Sequence, residues 1–219
     1  MNLPGLVTVD AHDANTLDKL ARMVGTCFLE EQWYATWLAA DGIDGARKLA
    51  ITQAIIRADY EVTAPFGCVY TLDDHAGAAN VFLRSELGGT PRSVLEERAE
   101  SIAETTLTSH EQSILYPRAQ AMEAASDTNW PLVYAQPDDD LLYFISVGVD
   151  ATRRGSGAFG RLFKPFLAYA DKHNIRCYLD CYTDRLEQLY GHYGFEVVER
   201  RSAEGFDLVE RCMVRKPRL

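Results

Sequence analysis

The stretch from Arg153 to Gly160, which reads RRGSGAFG, has the composition of a phosphate-binding loop. It lies between an apolar, strand-like run and a helical pattern of apolar residues. Glycines let the backbone pass close to a ligand, and the free amides of a first helical turn attract phosphate. Arg153 and Arg154 add positive charge there, although an ordinary solvated pair at a helix start has the same sequence. The residue types and their order therefore predict a site for a phosphorylated cofactor.

Two kinds of phosphate-binding loop fit these letters. GSGAFG satisfies the G-x-G-x-x-G pattern of dinucleotide-binding folds, and Asp180 follows at a suitable distance. Three features count against that interpretation. Residues 150–154 separate the glycines from the strand, only one strand–helix–strand crossover remains after residue 155, and the chain ends in a predicted antiparallel hairpin. A dinucleotide-binding fold is therefore disfavoured.

Three elements have to position this loop. Residues 141–149 (LLYFISVGV) form a continuous apolar run, which predicts a strand buried on both faces. After the loop, apolar residues recur at helical spacing up to Ala170, and residues 175–183 predict a second strand. A short helical pattern then ends at Gly194, as is typical of a glycine after a helix. FEVVER and FDLVERCMV, joined across SAEG, predict a closing hairpin.

The first part of the chain alternates helical and strand patterns. Helical spacing covers residues 15–28 and 49–60, after a short extended opening. CVYTL and AANVFL, joined by the turn-forming DDHAG, predict another hairpin. Residues 91–125 predict one or two helices, with Pro117 as the only interior breaker.

The strand, loop and helix around Arg154 resemble the GCN5-related N-acetyltransferases. That family's hallmark is a strand, a loop of the form Arg/Gln-x-x-Gly-x-Gly/Ala and a helix, and Arg154 to Gly157 stand at its first four positions. A second signature, a helix ending in Tyr followed by Gly-Phe, appears as LYGHYGF. The run YLDCYTDRLEQLYGHYGFEVV is also similar to the subgroup that includes puromycin N-acetyltransferase. Two positions depart from the family pattern: Phe159 replaces the last Gly/Ala, and Thr183 replaces a common Asn.

The resemblance implies acetyl-CoA as cofactor and assigns roles to particular residues. Amides of residues 154–159 would hold the pyrophosphate, and main-chain groups of residues 147–149 would meet the pantetheine arm and the thioester oxygen. Tyr190 would be the general acid toward the coenzyme A thiolate, although its helical stripe with Leu189 and Tyr193 is also typical of core packing. The expected cofactor-binding residues are Val147, Gly148, Val149, Arg154, Gly155, Ser156, Gly157, Ala158, Phe159 and Thr183.

The acceptor would be an amine, and its general base is not identified by the sequence. The candidates are Glu30, Glu31, Asp180, His110 and Glu111, each of which also fits a surface or structural role. Ordered water could replace all of them. The aromatic residues Trp33, Tyr34 and Trp37 fit either an acceptor wall or the core.

Composition excludes several other classes of protein. The 219 residues are 47% apolar, enough for a substantial core, and 22 Lys plus Arg against 32 Asp plus Glu give a net charge of −10. With no basic block, nucleic-acid binding is not expected. The longest apolar run is too short to span a membrane, and the opening residues do not resemble a secretion signal, so we expect a cytoplasmic protein.

The five cysteines indicate buried structural thiols in a reducing compartment rather than a disulfide framework. Cys177 and Cys181 have no further Cys or His to complete a zinc set, so no metal is implied.

Together these features predict one α/β (α+β) domain over residues 1–219, with a central mixed, mostly antiparallel twisted sheet flanked by helices. Its acetyl-CoA-binding core would cover about residues 140–219. The expected function is direct transfer of an acetyl group to a primary amine of a small molecule in a ternary complex. The alternative is a non-catalytic acyl-CoA-binding or sensor domain on the same fold. Because much of the excess acid precedes residue 141, the composition favours a cationic acceptor.

Overall fold

A seven-stranded mixed sheet forms the centre of the molecule. The computed structural model describes residues 1–127, 129–136 and 139–218. The strands are ordered β1-β2-β3-β4-β5-β7-β6, and every neighbouring pair is antiparallel except β4 and β5. The predicted fold class is thereby confirmed. The strands are β1 (Val7–Thr8), β2 (Val69–Thr71), β3 (Gly77–Leu83), β4 (Leu141–Val149), β5 (Arg176–Cys181), β6 (Glu196–Ser202) and β7 (Val209–Arg215).

Helices cover both faces of this sheet. The α-helices are α1 (Ala14–Phe28), α2 (Gln32–Trp37), α3 (Gly45–Thr63), α4 (Arg92–Glu104), α5 (Ser109–Met122), α6 (Pro131–Tyr134), α7 (Ala158–His173) and α8 (Asp184–His192). Successive side chains of a strand point to opposite faces. Accordingly, Ala79 and Val81 of β3 join the core beneath α7, whereas Ala78 packs with α1 and α3. Both hairpins predicted from the sequence are present, as β2–β3 and β6–β7.

Pro117 does not interrupt the helical region between β3 and β4. It lies inside α5, and the break between α4 and α5 comes earlier, at residues 105–108. The side chain of Thr108 accepts a hydrogen bond from the amide of Glu111, whose carboxylate accepts one from the Thr108 amide in return. This capping box fixes the start of α5, and the single hydrogen bond lost at a proline is insufficient to end the helix.

β4 and β5 pair in parallel over three residues and then separate. Leu141, Leu142 and Tyr143 pair with residues 176–178, and beyond Tyr143 β4 remains paired only with β3. That pairing skips Ile145, which forms a bulge. The expectation that β4 is buried on both faces along its whole length is therefore wrong for its second half. Ile145, Val147 and Val149 are only half-buried, because β5 no longer covers the edge of the strand.

All five cysteines are free thiols, and four of them are buried: Cys68, Cys177, Cys181 and Cys212. Cys27 is half-buried. The described parts of the chain bring no three metal-ligating side chains together. In the same parts, no helix has the length and apolar content needed to cross a membrane.

Candidate active site

A cavity of about 1670 Å³ lies where β4 and β5 part. One side of it is formed by the end of β4, the loop before α7, and α8. The other side is formed by the end of α1 and by α2 to α5. The cavity thus joins the predicted phosphate-binding loop to the N-terminal half of the chain.

The loop turns into α7 through two glycines in the left-handed region. Gly155 has φ 81° and Gly157 has φ 80°, and a Cβ on either would meet no neighbour within 4 Å. Conformation rather than crowding therefore requires glycine at both positions. Gly157 is the N-cap of the 16-residue α7, so the amides of Ala158 and Phe159 are in its first turn, at the cavity wall. These amides, together with the helix dipole, form an anion-binding arrangement.

Ser156 is the predicted cofactor residue that does not line the cavity. Its hydroxyl donates a hydrogen bond to the carbonyl of Arg153, 2.6 Å away, and so stabilises the turn itself.

Basic side chains surround the mouth of the cavity, and acidic neighbours engage three of them. Arg153 and Arg161 pair with Asp74 at 2.9 and 3.2 Å, and Arg154 pairs with Glu30 at 3.3 Å. The three arginines are exposed, and exposed pairs of this kind contribute at most about 1 kcal/mol. A phosphate, which forms stronger charge-assisted hydrogen bonds with arginine, can therefore displace these carboxylates.

The bulky Phe159 is accommodated by an aromatic cluster. Its ring stacks on Phe163, with the centroids 5.0 Å apart, and lies 5.7 Å from the ring of Tyr193. Phe159, which departs from the family pattern, thus packs between α7 and α8. Thr183, the other departure, caps α8: its hydroxyl oxygen accepts a hydrogen bond from the amide of Leu186.

The second half of β4 presents main chain to the cavity at Val147, Gly148 and Val149. A Cβ on Gly148 would lie 2.9 Å from Cγ2 of Val24, so only glycine lets α1 approach the strand this closely. The carbonyl of Val149 accepts a hydrogen bond from Sγ of Cys27, at 3.2 Å.

Tyr190 belongs both to the core and to the cavity wall. Its side chain lies in the core beneath α7 and is 8% exposed, and that exposed surface lines the cavity. Burial raises its pKa well above the ordinary value, and the negative charges of nearby Asp180 and Glu31 raise it further. No described residue forms a hydrogen bond with its hydroxyl. The group is therefore a neutral phenol that can donate a proton into the cavity.

Glu31 differs from the other candidate bases because one of its two carboxylate oxygens has no hydrogen-bond partner among the described residues. Oε2 accepts a hydrogen bond from the amide of Trp33 at 2.9 Å and caps α2. Oε1 is buried and has no hydrogen-bond partner among the described residues. Burial raises the pKa of Glu31 to about 7, against the smaller opposing effect of the Trp33 amide, and the charge of Asp180 contributes to the rise. This is the range suited to a general base near neutral pH.

The remaining candidate bases are committed elsewhere or lie outside the cavity. Glu30 is exposed and paired with Arg154, and Asp180 accepts a short hydrogen bond from the hydroxyl of Tyr143. Neither His110 nor Glu111 lines the cavity. An arginine, Arg47, holds the pKa of Glu111 down at about 2, and the capping box uses the same carboxylate.

Three further residues of the cavity wall escaped the sequence analysis: Asp59, Arg92 and Tyr143. The guanidinium of Arg92 lies 3.9 Å from the ring centroid of Tyr143 and pairs with Glu96 at 2.7 Å. The i,i+4 spacing of Arg92 and Glu96 was visible in the sequence. Asp59 lies between the charged residues Arg57 and Glu61 of α3, so the sequence contained no signal that singled it out.

The sequence left open whether the aromatic residues of α2 form the wall of a binding site or part of the core. Trp33, Tyr34 and Trp37 all line the cavity, and the centroids of Trp33 and Trp37 are 5.4 Å apart. Trp37 is buried in a core formed with α5, where its Nε1 donates a hydrogen bond to the carbonyl of Leu115. The same rings are therefore core on one side and cavity wall on the other.

The chain has the fold of the acetyltransferases. The "histone acetyltransferase HPA2 and related acetyltransferase" of Corynebacterium glutamicum aligns with a TM-score of 0.59 and 16% identity, covering 100% of this chain and 98% of that one. Arylalkylamine N-acetyltransferase 2 of Aedes aegypti gives 0.57 and 13%, covering 97% and 98%. The polyamine N-acetyltransferase of Drosophila melanogaster gives 0.50 and 14%, covering 96% and 98%.

These identities show a shared fold and not a shared substrate. No protein-family model and no curated protein matches the sequence. None of the three structures is a puromycin N-acetyltransferase, so the narrower resemblance to that subgroup stays a prediction.

Proposed function

We propose that the protein is an acetyl-CoA-dependent N-acetyltransferase that acetylates a primary amine of a small molecule by direct transfer in a ternary complex. The observation that carries this proposal is a single cavity lined by the amides at the start of α7, the open edge of β4, Tyr190 and Glu31. The related folds named above include enzymes described as acting on polyamines and arylalkylamines, which supports an amine as acceptor. In this proposal residues 140–219 supply most of the acetyl-CoA site and the preceding helices supply the acceptor site, within one domain.

The residues of the loop fit the phosphates of coenzyme A. Gly155 and Gly157 have the backbone conformation of a phosphate-binding turn, the first-turn amides of α7 follow directly, and Arg154 adds charge at the mouth. Gly148 lets α1 pack closely against β4 beside this site. When bound there, acetyl-CoA would supply the acetyl group as a thioester.

Near neutral pH part of the Glu31 population is ionised and Tyr190 is protonated, and acetyl transfer to an amine uses those two states. Oε1 of Glu31 accepts the proton that the acceptor ammonium must lose before its nitrogen can form the new bond to the acetyl carbon. The carbon–sulfur bond breaks as that bond forms, and the hydroxyl of Tyr190 gives its proton to the leaving thiolate. The new amide nitrogen loses its second proton to solvent, solvent returns a proton to Tyr190, and Glu31 releases to solvent the proton that it took.

Main-chain amides at the end of β4 complete the proposed site. Beyond Tyr143 this edge is not used by β5, and the amide of Asp150 donates to Ala76 on the β3 side. Because strand amides alternate between the two edges, those of Val147 and Val149 face the open edge and can donate hydrogen bonds to the thioester oxygen as negative charge develops on it. Donors of this kind typically contribute about 3 kcal/mol to transition-state stabilisation.

An amine panel tests the proposal. Purified protein and acetyl-CoA are incubated with chemically diverse primary amines, and free thiol is measured with a chromogenic reagent. We expect thiol release with at least one amine class, and stoichiometric acetylated amine by mass spectrometry. If acetyl-CoA raises the melting temperature but no amine releases thiol, the protein is the non-catalytic acyl-CoA sensor. If no coenzyme A species binds at all, both functions are excluded.

A further inference from the structure

Two arginines at the mouth of the cavity converge on one carboxylate oxygen. Nη2 of Arg153 lies 2.9 Å from Oδ2 of Asp74, and Nη2 of Arg161 lies 3.2 Å from the same oxygen. Both arginines line the cavity and are about half-exposed, whereas Asp74 does not line it. The two guanidinium groups are therefore held side by side, facing a point that a ligand can reach.

Three separate parts of the chain meet at this point. Arg153 ends the short 3₁₀ turn that follows β4, and Arg161 lies in the first turn of α7, where its amide donates a hydrogen bond to the carbonyl of Gly157. Asp74 lies in the turn between β2 and β3, and its Oδ1 accepts a hydrogen bond from the amide of Ala76 at 3.1 Å. That amide and, after it, Arg153 hold the pKa of Asp74 down at about 2, so the carboxylate is ionised.

The charges at this point do not cancel. Two guanidinium groups share the single carboxylate of Asp74, and Lys164, three residues after Arg161 on α7, also lines the cavity. The nearby carboxylate of Asp150 accepts hydrogen bonds from the amide and the hydroxyl of Thr152. Because exposed ion pairs contribute at most about 1 kcal/mol each, a ligand with more negative charge than one carboxylate can replace Asp74 between the arginines.

Coenzyme A carries two kinds of phosphate, and the protein has two different arrangements for them. Each phosphorus of the pyrophosphate is a diester with one negative charge, which main-chain amides such as those at the start of α7 can bind without a counter-ion. The ribose 3′-phosphate is a monoester, and such a group has a charge of about −1.5 to −2 at pH 7 and three strong acceptor oxygens. That charge and those oxygens match two converging guanidinium groups.

We propose that Arg153 and Arg161 bind the ribose 3′-phosphate of coenzyme A, and that Asp74 occupies their guanidinium groups until this phosphate displaces it. The inference rests on the proposed function. On displacement both arginines exchange the carboxylate for phosphate oxygens, and Asp74 keeps its hydrogen bond to the amide of Ala76. Asp74 therefore prepares the position of the arginines and at the same time competes with the cofactor.

The test compares acetyl-CoA with 3′-dephospho-acetyl-CoA by calorimetry. We expect the wild type to bind acetyl-CoA about 10- to 100-fold more tightly, the range for hydrogen bonds between charged groups. Arg161→Gln should lower that ratio by about 5-fold or more, through weaker binding of acetyl-CoA alone. Asp74→Asn keeps an oxygen for the Ala76 amide and should tighten acetyl-CoA by about 2- to 5-fold, without affecting the dephospho form.

Arg200→Gln is the matched control, because Arg200 is also half-exposed and paired with a carboxylate, that of Glu187, but does not line the cavity. Equal Kd values for the two cofactors in the wild type would overturn the inference, and the proposed function would stand if an amine still releases thiol. An equal loss for both cofactors in Arg161→Gln would indicate a structural role. Weaker acetyl-CoA binding in Asp74→Asn would show that Asp74 does not compete with the phosphate.

If no coenzyme A species binds, the proposed function fails and adenosine 3′-monophosphate decides the inference separately. Its binding is compared with that of adenosine by ligand-observed NMR at millimolar concentration. Binding of the nucleotide to the wild type, with loss in Arg161→Gln, would support a phosphate-monoester site at the arginines. Absence of binding to the wild type would exclude it.

Discussion

Replacing Glu31 by Gln should stabilise the protein and inactivate it at the same time. The substitution keeps a carbonyl oxygen that can cap α2 through the Trp33 amide, and it removes the ionisable group. In the wild type the folded protein holds this carboxyl in a buried site, which raises its pKa from 4.5 to about 7. A glutamine there has no charge to desolvate.

The size and the pH range of the stabilisation follow from this pKa. Below pH 4.5 the carboxyl group is protonated in both the folded and the unfolded state, so the variant and the wild type should differ by a constant. Between pH 4.5 and 7 the unfolded chain ionises while the folded protein retains the proton, and the free energy of unfolding of the wild type falls as the pH rises. The loss levels off above pH 7 at about 3 kcal/mol, because one pKa unit corresponds to about 1.4 kcal/mol. Glu31→Gln should avoid that loss.

Urea unfolding between pH 4 and about 8 measures the stability difference, and thiol release at saturating amine measures kcat. We expect kcat to fall by about 100-fold or more, the usual effect of losing a general base. Glu61→Gln is the control, because Glu61 is an exposed residue of α3 that pairs with Arg57 outside the cavity. A stability difference that does not change with pH would show that Glu31 is not desolvated. An unchanged kcat would show that solvent removes the ammonium proton.

Three further substitutions test separate parts of the site. Tyr190→Phe should leave acetyl-CoA affinity near normal and lower kcat by about 100-fold, and an unchanged kcat would exclude the proton-donor role. Gly157→Val should abolish acetyl-CoA binding in calorimetry, because a β-branched residue is strained at φ 80° and crowds the phosphate path; intact binding would contradict this. Gly148→Ala should cost about 1–3 kcal/mol of stability in urea, because its Cβ would lie 2.9 Å from Cγ2 of Val24, and adding Val24→Ala should restore part of it.

Local periodicity predicted most elements of the fold, and non-local pairing explains where it failed. The apolar stripe of α7 and the two hairpins depend on neighbouring residues, so the sequence contained their signals. Whether β4 is covered along its length depends instead on where β5 diverges, more than thirty residues later in the chain. The uniform apolar run of residues 141–149 contains no sign of that divergence.

The residues of the candidate site also divide into those that the local sequence could predict and those that it could not. The loop glycines and Tyr190 have fixed spacings within a continuous segment, so a family resemblance could assign them roles that remain to be tested. Glu31 becomes distinctive only after folding, because its importance comes from a buried carboxylate oxygen without a partner among the described residues. Adjacent Glu30 has the same side chain but is exposed and paired with Arg154, and sequence alone gave no reason to prefer one over the other.

The acids on the cavity wall give part of the net charge of −10 a structural interpretation. A uniformly acidic cavity would repel the phosphates of coenzyme A, and a uniformly basic one would repel an ammonium acceptor. In the proposed reaction, basic residues at the start of α7 would attract the phosphates, and acids on α3 and α4 would attract the ammonium group, so that both ligands could enter one cavity. In that reaction the two ligands would meet at the open edge of β4, where the charge of Glu31 acts on the neutral phenol of Tyr190. Because Oε1 of Glu31 is buried without a hydrogen-bond partner among the described residues, a bound cation would offset the cost of enclosing it and would stabilise the folded protein.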